Sequence, residues 1–288
     1  MEFDKLQRPV VVSRLKRGES RGVMDPHWFF KNFSLRCYSP SLQLAPFVEH
    51  FFIIRWDPKL QPHPSFDYLL TEPAITMFLG KQQPHLWGIV AEKVVFTLQG
   101  DGVEAGIKFA PGGLYSFWGH DASDLAQRAT PATIVFPEVT SSFLETLYAD
   151  DNDASLVKSL ERLLSERHVR PDENLLLIQR ITQVIHTNSY STVAVAEVAE
   201  EFNISERTLH HLFKRRVGVG VKWLLMRPRL LNAVRQANSL PKPDWARIAA
   251  DLGYSTQSHF VNDFKRYIGL SPSRYIQSLE TRGDLPRL

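Results

Sequence analysis

Phe213-Lys214-Arg215-Arg216-Val217-Gly218 returns, 51 positions later, as Phe264-Lys265-Arg266-Tyr267-Ile268-Gly269. Each stretch closes a segment of the same layout: a short helix, a turn and a second helix. In the first copy Val193 to Phe202 carries Val195, Val198, Ala199 and Phe202 at helical spacing, which predicts a helix with those residues inward. Asn203-Ile204 reads as the turn, with Asn203 at a position where the chain commonly takes positive φ. Ser205 is placed to cap the next helix. Leu209, Leu212 and Phe213 then face inward, leaving Glu206, Arg207, His210, His211 and Lys214 outward.

In the second copy Trp245 to Leu252 is the expected first helix, Ile248 and Ala249 its inward residues, and Gly253 its turn. Ser255 or Thr256 caps the helix that follows, with Phe260 and Phe264 inward and Gln257, Ser258, His259, Val261, Asn262 and Lys265 facing elsewhere. The second turn is one residue longer than the first. Between the copies, Lys222 to Asn238 places Trp223, Met226, Leu230, Val234 and Ala237 three or four apart, which predicts a connecting helix. Pro228 lies inside it, lacks an N–H and collides with the carbonyl four residues back, so a kink or break near Met226 is expected. Paired helix-turn-helix units on one frame suit neighbouring major grooves of a duplex.

The segment from about Leu175 to Ser278 resembles the DNA-binding domain of the AraC/XylS transcription regulators. The resemblance rests on Ile248-Ala249 through Gly253-Tyr254, on Ser258-His259-Phe260, on Phe264-Lys265-Arg266, and on Gly269-Leu270-Ser271-Pro272-Ser273-Arg274-Tyr275. It implies two recognition helices entering successive major grooves. Carried onto this chain, the family's contact positions make Arg207, His210 and His211 the base-reading candidates of the first helix and Gln257, Ser258 and Asn262 those of the second. Arg grips guanine O6 and N7 as a fork, and Gln or Asn does the same with adenine N6 and N7, which favours Arg207, Gln257 and Asn262. Lys214, Lys265 and Arg266, with Arg215 and Arg274, suit phosphate contacts that set affinity and register.

Charge follows the repeat. The chain has a formal balance of +3, but Asp172 to Leu288 holds 16 Lys and Arg against 11 Asp and Glu, leaving 18 against 20 upstream. The basic excess thus lies with the repeated module. Upstream, Phe47 to Trp56, Ala74 to Leu79, Val94 to Leu98 and Val103 to Phe109 are apolar runs punctuated by Gly and Pro, which predicts a small sheet or barrel. Ser141 to Tyr148 and Ala154 to Glu166 follow at helical spacing. The expected class is α+β: a β-rich domain closed by helices over 1–168, then an all-α DNA-binding domain over 169–288, with the polar stretch Ser165 to Asn174 as the boundary.

Gly106-Ile107-Lys108-Phe109-Ala110-Pro111-Gly112-Gly113, with Phe47-Val48-Glu49-His50 and Arg55-Trp56-Asp57, is similar to an uncharacterised domain type found in front of some AraC-type regulators. The resemblance spans about Tyr38 to Pro137 and implies, by position, a sensory or regulatory role. Its aromatic residues offer Trp56, Trp87, Phe109 and Trp118 as ligand-contacting candidates, although such residues also build cores.

Enzymatic signatures fail on residues. No His-Glu-x-x-His or His-x-His pair is present, the histidines His27, His50, His63, His85 and His120 are scattered, and no cofactor is implied. Cys37 is the sole cysteine, which excludes an intrachain disulfide and suits a reducing interior. Met1 to Val12 has no long apolar stretch and no run reads as a membrane span. The expectation is a cytoplasmic, nucleoid-associated regulator whose partner is double-stranded DNA, with a small-molecule effector, RNA polymerase and a second copy of the chain as further partners. The rival is an architectural or partner-recruiting DNA-binding protein without an effector.

Overall fold

The structure is a computed structural model; it describes residues 29, 31–57, 65–68, 73–89, 94–97, 102–126, 128–150, 152–187, 194–239 and 243–281. Val193, where the first repeated helix was expected to begin, lies outside these residues, as do Met1 to Val12, His27, His63 and Leu98.

The N-terminal half is built on a six-stranded antiparallel sheet. Its strands are β1 (Phe33–Tyr38), β2 (Val48–Trp56), β4 (Thr76–Phe78), β5 (His85–Trp87), β7 (Val103–Phe109) and β8 (Ala129–Pro131), in the order β1-β2-β7-β4-β5-β8. A separate pair joins β3 (Ser65–Tyr68) to β6 (Val94–Thr97). Alternation along a strand sends successive side chains to opposite faces. Phe51 and Ile53 of β2, Met77 of β4, Leu86 of β5 and Ala105 and Ile107 of β7 therefore share one buried face. Phe52, Ile54 and Trp56 join Phe33, Cys37 and Phe78 on the other. Burial on both faces explains why Phe51 to Ile54, in the middle of β2, reads as an unbroken apolar run. At Gly106 an added Cβ meets the Phe52 ring at 2.2 Å and the Met77 carbonyl at 2.4 Å, so the sheet closes over a residue that must lack a side chain.

The first face is covered from the C-terminal side. A short helix α1 (Tyr115–Trp118) and a 3-10 turn (Ala122–Leu125) lead to α2 (Ser141–Leu147) and α3 (Asp153–Ser165). Thr140 and Asn152 cap α2 and α3 by accepting from the Phe143 and Ala154 amides. Leu156, Leu160, Leu163 and Leu164 of α3 are buried in the same core as Phe51 and Ile107.

The rest of the chain is helical: α4 (Glu173–Thr187), α5 (Val195–Glu201), α6 (Glu206–Arg216), α7 (Val221–Ser239), α8 (Trp245–Asp251), α9 (Gln257–Ile268) and α10 (Pro272–Thr281). One core unites them, drawing Ile181 and Ile185 from α4, Leu209 and Phe213 from α6, Leu230, Ala233 and Val234 from α7, and Phe260 and Phe264 from α9. The α+β class holds. Of the kink or break expected near Met226, the break does not occur: helix α7 runs without interruption from Val221 to Ser239 with Pro228 inside it. Its buried face, including Leu224, Leu225 and Leu230 on either side of Pro228, holds the helix where propensity alone disfavours it.

Helix α4 joins the two halves. Leu175 packs in the first core while Ile178, Ile181 and Ile185 pack in the second. Gln179 donates from Nε2 to the Pro46 carbonyl. Gly112, at φ +78 in the turn that precedes α1, faces Leu175 and Ile178: an added Cβ would stand 3.2 Å from Ile178 and 3.4 Å from Leu175. Among the described residues no helix is long and apolar enough to cross a membrane.

Candidate nucleic-acid interface

Both repeated units are built as their local sequence dictates. After α5, Asn203 turns the chain at φ +53 and the Ile204 amide returns to the Ala199 carbonyl at 2.9 Å. Ser205 then accepts from the Thr208 amide at 3.1 Å and starts α6. Val198 and Ala199 are buried at this crossing, so a larger residue at Ala199 meets α6. In the second unit Asp244 caps α8 by accepting from the Ala246 and Arg247 amides, each at 3.1 Å. Gly253 turns the chain at φ +75, the Tyr254 amide returns to the Ala249 carbonyl at 3.0 Å, and Thr256 rather than Ser255 caps α9 through the His259 amide at 3.1 Å. The cap follows the positive-φ residue by two positions in the first unit and by three in the second, which is the extra turn residue read from the sequence.

Packing fixes the second unit further. Trp245 stacks on Phe260 at 5.9 Å between ring centres and meets Phe264 edge-on at 5.5 Å, and Tyr275 of α10 also meets Phe264 edge-on, at 5.8 Å. Because α7 belongs to the same core, α6 and α9 are carried on one frame.

With those inward residues fixed, the outward ones follow. Arg207, His210, His211 and Lys214 of α6 are all exposed, as are Gln257, Ser258, Asn262, Lys265 and Arg266 of α9. The His210 ring lies against Gly220, its Cδ2 atom 3.2 Å from where a Cβ would stand, so that imidazole leans toward the turn before α7. Val261 is partly buried against the helical core. Two features were not legible in sequence. His259 is more than half exposed and stands 3.6 Å from Asp263, which borders it one turn on. Arg215, grouped in sequence with the phosphate-contacting cations, is instead paired with Asp121 of the N-terminal half at 3.0 Å. No local signal announces a partner 94 residues away in the chain.

The four aromatic ligand candidates do not form one wall. Trp56 and Trp87 lie with Phe52 and Phe78 on one face of the sheet, whereas Phe109 is wholly buried on the opposite face and Trp118 packs against the core on that opposite face. Their separation follows from strand parity and from the position of α1. Among the described residues no group of three or more His, Cys, Asp or Glu is placed to hold a metal ion. Cys37 is buried in the Phe52 face of the sheet.

Two helix-turn-helix units on a common core, each with a polar second helix turned to solvent, define a DNA-binding module. Residues 198–278 match the family model described as a helix-turn-helix domain, and residues 36–131 match one described as a domain of unknown function. Through its C-terminal part the chain belongs to the AraC-type helix-turn-helix family, whose members are transcription regulators. It is similar to the Msm operon regulatory protein of Streptococcus mutans, 24% identical over 36% of this chain and 37% of that protein. It is also similar to the probable transcriptional regulator LumQ of Photobacterium leiognathi, 27% identical over 44% of this chain and 53% of that one. Among solved structures, the C-terminal domain of AraT, a response regulator from Geobacillus stearothermophilus, is 32% identical over 35% of this chain and 83% of that domain, with a TM-score of 0.31. The chain thus spans about half or less of the length of the full regulators it matches.

Proposed function

We propose that this protein is a sequence-specific transcription regulator in which the helical domain, 169–288, reads DNA and the sheet domain, 1–168, receives a signal. The observation that carries the reading is the pair α6 and α9, held by one core and presenting Arg207 and Gln257 to solvent within an AraC-type domain. Arg207, His210 and His211 read bases through the first helix, and Gln257, Ser258 and Asn262 through the second. Lys214, Lys265 and Arg266 hold phosphates. A ligand that favours one arrangement of the sheet domain shifts how the two helices are presented.

The regulator reading places the protein in the cytoplasm with the nucleoid, makes no use of catalysis, and admits a small-molecule effector, RNA polymerase and a second copy of the chain as partners. Selection of bound sequences from a random duplex pool tests it. The expected result is a two-part site, one part for each helix, and a pool that remains random after selection removes the reading. One observation favours the architectural alternative: the aromatic candidates are divided between two buried faces of the sheet. Retention of Trp56 and Trp87 as ligand contacts requires that a bound effector quench their fluorescence selectively.

A further inference from the structure

The two copies of the repeat differ in one respect that their sequences do not explain. The end of α6 is docked on the N-terminal half, and the end of α9 is not sealed in this way. The 3-10 turn Ala122–Leu125 lies against α6. Arg215 Nε reaches Asp121 Oδ1 at 3.0 Å, and its guanidinium stands 5.4 Å from the centre of the Tyr115 ring. Gly218, at φ +98, is buried so closely that an added Cβ stands 3.0 Å from the Ala122 carbonyl oxygen. Shifted by the 51-residue period, Arg215 becomes Arg266 and Gly218 becomes Gly269. Both of these are exposed, and the Arg266 guanidinium lies beside its own neighbour Tyr267.

We propose that Asp121 and a DNA phosphate compete for the Arg215 guanidinium, so that the N-terminal domain communicates with DNA through the first reading helix rather than the second. This rests on the DNA-reading assignment above. A guanidinium accepts a carboxylate or a phosphate through the same donors. The Asp121 and Arg215 side chains are 47% and 48% exposed, so the pair is weak enough to exchange one anion for the other. The coupling is reciprocal: DNA that takes Arg215 frees the Asp121 turn, and any ligand that moves the segment from Tyr115 to Leu125 alters DNA affinity. Lys214 on the same helix end remains exposed and keeps its phosphate role in either arrangement.

The test uses the full chain and a duplex carrying a site recovered from the random pool. Asp121→Asn is expected to tighten binding about two- to fivefold, the range of an exposed ion pair. Asp124→Asn, at an exposed acid on the same turn, leaves affinity unchanged. Arg215→Gln weakens binding, and adding Asp121→Asn to it yields no further tightening. The competition is overturned if Asp121→Asn leaves affinity unchanged, if it tightens binding equally with Arg215→Gln present, or if Asp124→Asn tightens it as much, which is the signature of a general charge effect. A wild-type chain that holds no duplex overturns the DNA reading itself and the competition with it.

Discussion

Arg216 and Asp172 meet at 2.7 Å, and they are unequally buried: the arginine side chain is 10% exposed and the aspartate 51%. The Arg216 guanidinium also stands 4.4 Å from the Tyr115 ring centre, so one side chain ties the end of α6 to the segment before α4 and to α1. Unequal burial makes the two deletions unequal. Asp172→Ala strands a buried cation and removes the carboxylate that accepts from the Leu175 amide at 2.9 Å at the start of α4, whereas Arg216→Met keeps that cap, leaves a carboxylate that water can reach and keeps most of the packing volume. We expect Asp172→Ala to cost roughly 1–3 kcal/mol and Arg216→Met less than about 1.5 kcal/mol. Urea unfolding of both variants decides this, and equal costs would show that the pair is merely a surface contact.

Asp153 sets the acid limit of the sheet domain. Its side chain, 12% exposed at the start of α3, accepts from Arg36 at 3.0 Å, from Arg55 at 2.7 Å and from the Tyr38 hydroxyl. Burial pushes this carboxyl upward, but the hydrogen bonds from Tyr38, Arg55 and Arg36 outweigh it and hold the group below its ordinary value. The Tyr38 hydroxyl is pushed up to about 12, first by burial and then by Asp153, so it remains a donor at neutral pH. A depressed carboxyl contributes stability that is complete above its unfolded value, near pH 4, and is lost as pH falls through its folded value. The native domain should therefore lose stability below about pH 4. Asp153→Asn should cost about 1–2 kcal/mol at neutral pH and flatten that acid limb. Melting temperature followed against pH checks both effects, and an unchanged acid limb in the variant removes Asp153 from the account.

How far the sequence carries differs between the two halves, for physical reasons. The helical half is legible because its determinants are local: Asn203, Ser205, Gly253 and Thr256 act within a few residues, and the inward set Leu209, Phe213, Phe260 and Phe264 repeats at helical spacing. The sheet half is legible only as strands. Phe33–Tyr38 and His85–Trp87 are too short or too mixed to stand out, and their pairing depends on residues far apart in the chain, such as Phe52 opposite Gly106. The aromatic candidates were grouped by type, whereas strand parity divides them between faces. Exposure of the reading residues followed from knowing which side of each helix is apolar. Docking of α6 on the turn at Asp121 could not follow from that, since it joins surfaces of two halves.

Pro228 supplies a sharper test of tertiary control over propensity. With α7 continuous through it, position 228 has no N–H to offer the Leu224 carbonyl, and the ring presses on the preceding turn. Pro228→Ala restores the donor and relieves that contact, so stability should rise by about 1–3 kcal/mol, the upper end being the helix-interior difference between these residues. Since α7 carries both reading units, the variant should also change the preferred spacing between the two parts of the DNA site. A denaturation midpoint that does not move means that the surrounding core already compensates for the missing bond.

The reading helices make predictions separable by the form of their loss. Arg207 on α6 and Gln257 on α9 are exposed side chains able to form bidentate contacts with base edges, so Arg207→Ala and Gln257→Ala should each relax preference at a different position of the selected site, by about 1–3 kcal/mol of discrimination. Lys265, exposed in the last turn of α9, has no such geometry and serves as a point charge. Lys265→Ala should weaken every sequence alike and lower the salt slope by about one unit. Site selection repeated with each variant, together with affinity measured over a range of salt, distinguishes the classes. If Gln257→Ala leaves the selected profile intact while affinity falls and the salt slope flattens, α9 holds the backbone and α6 alone reads sequence.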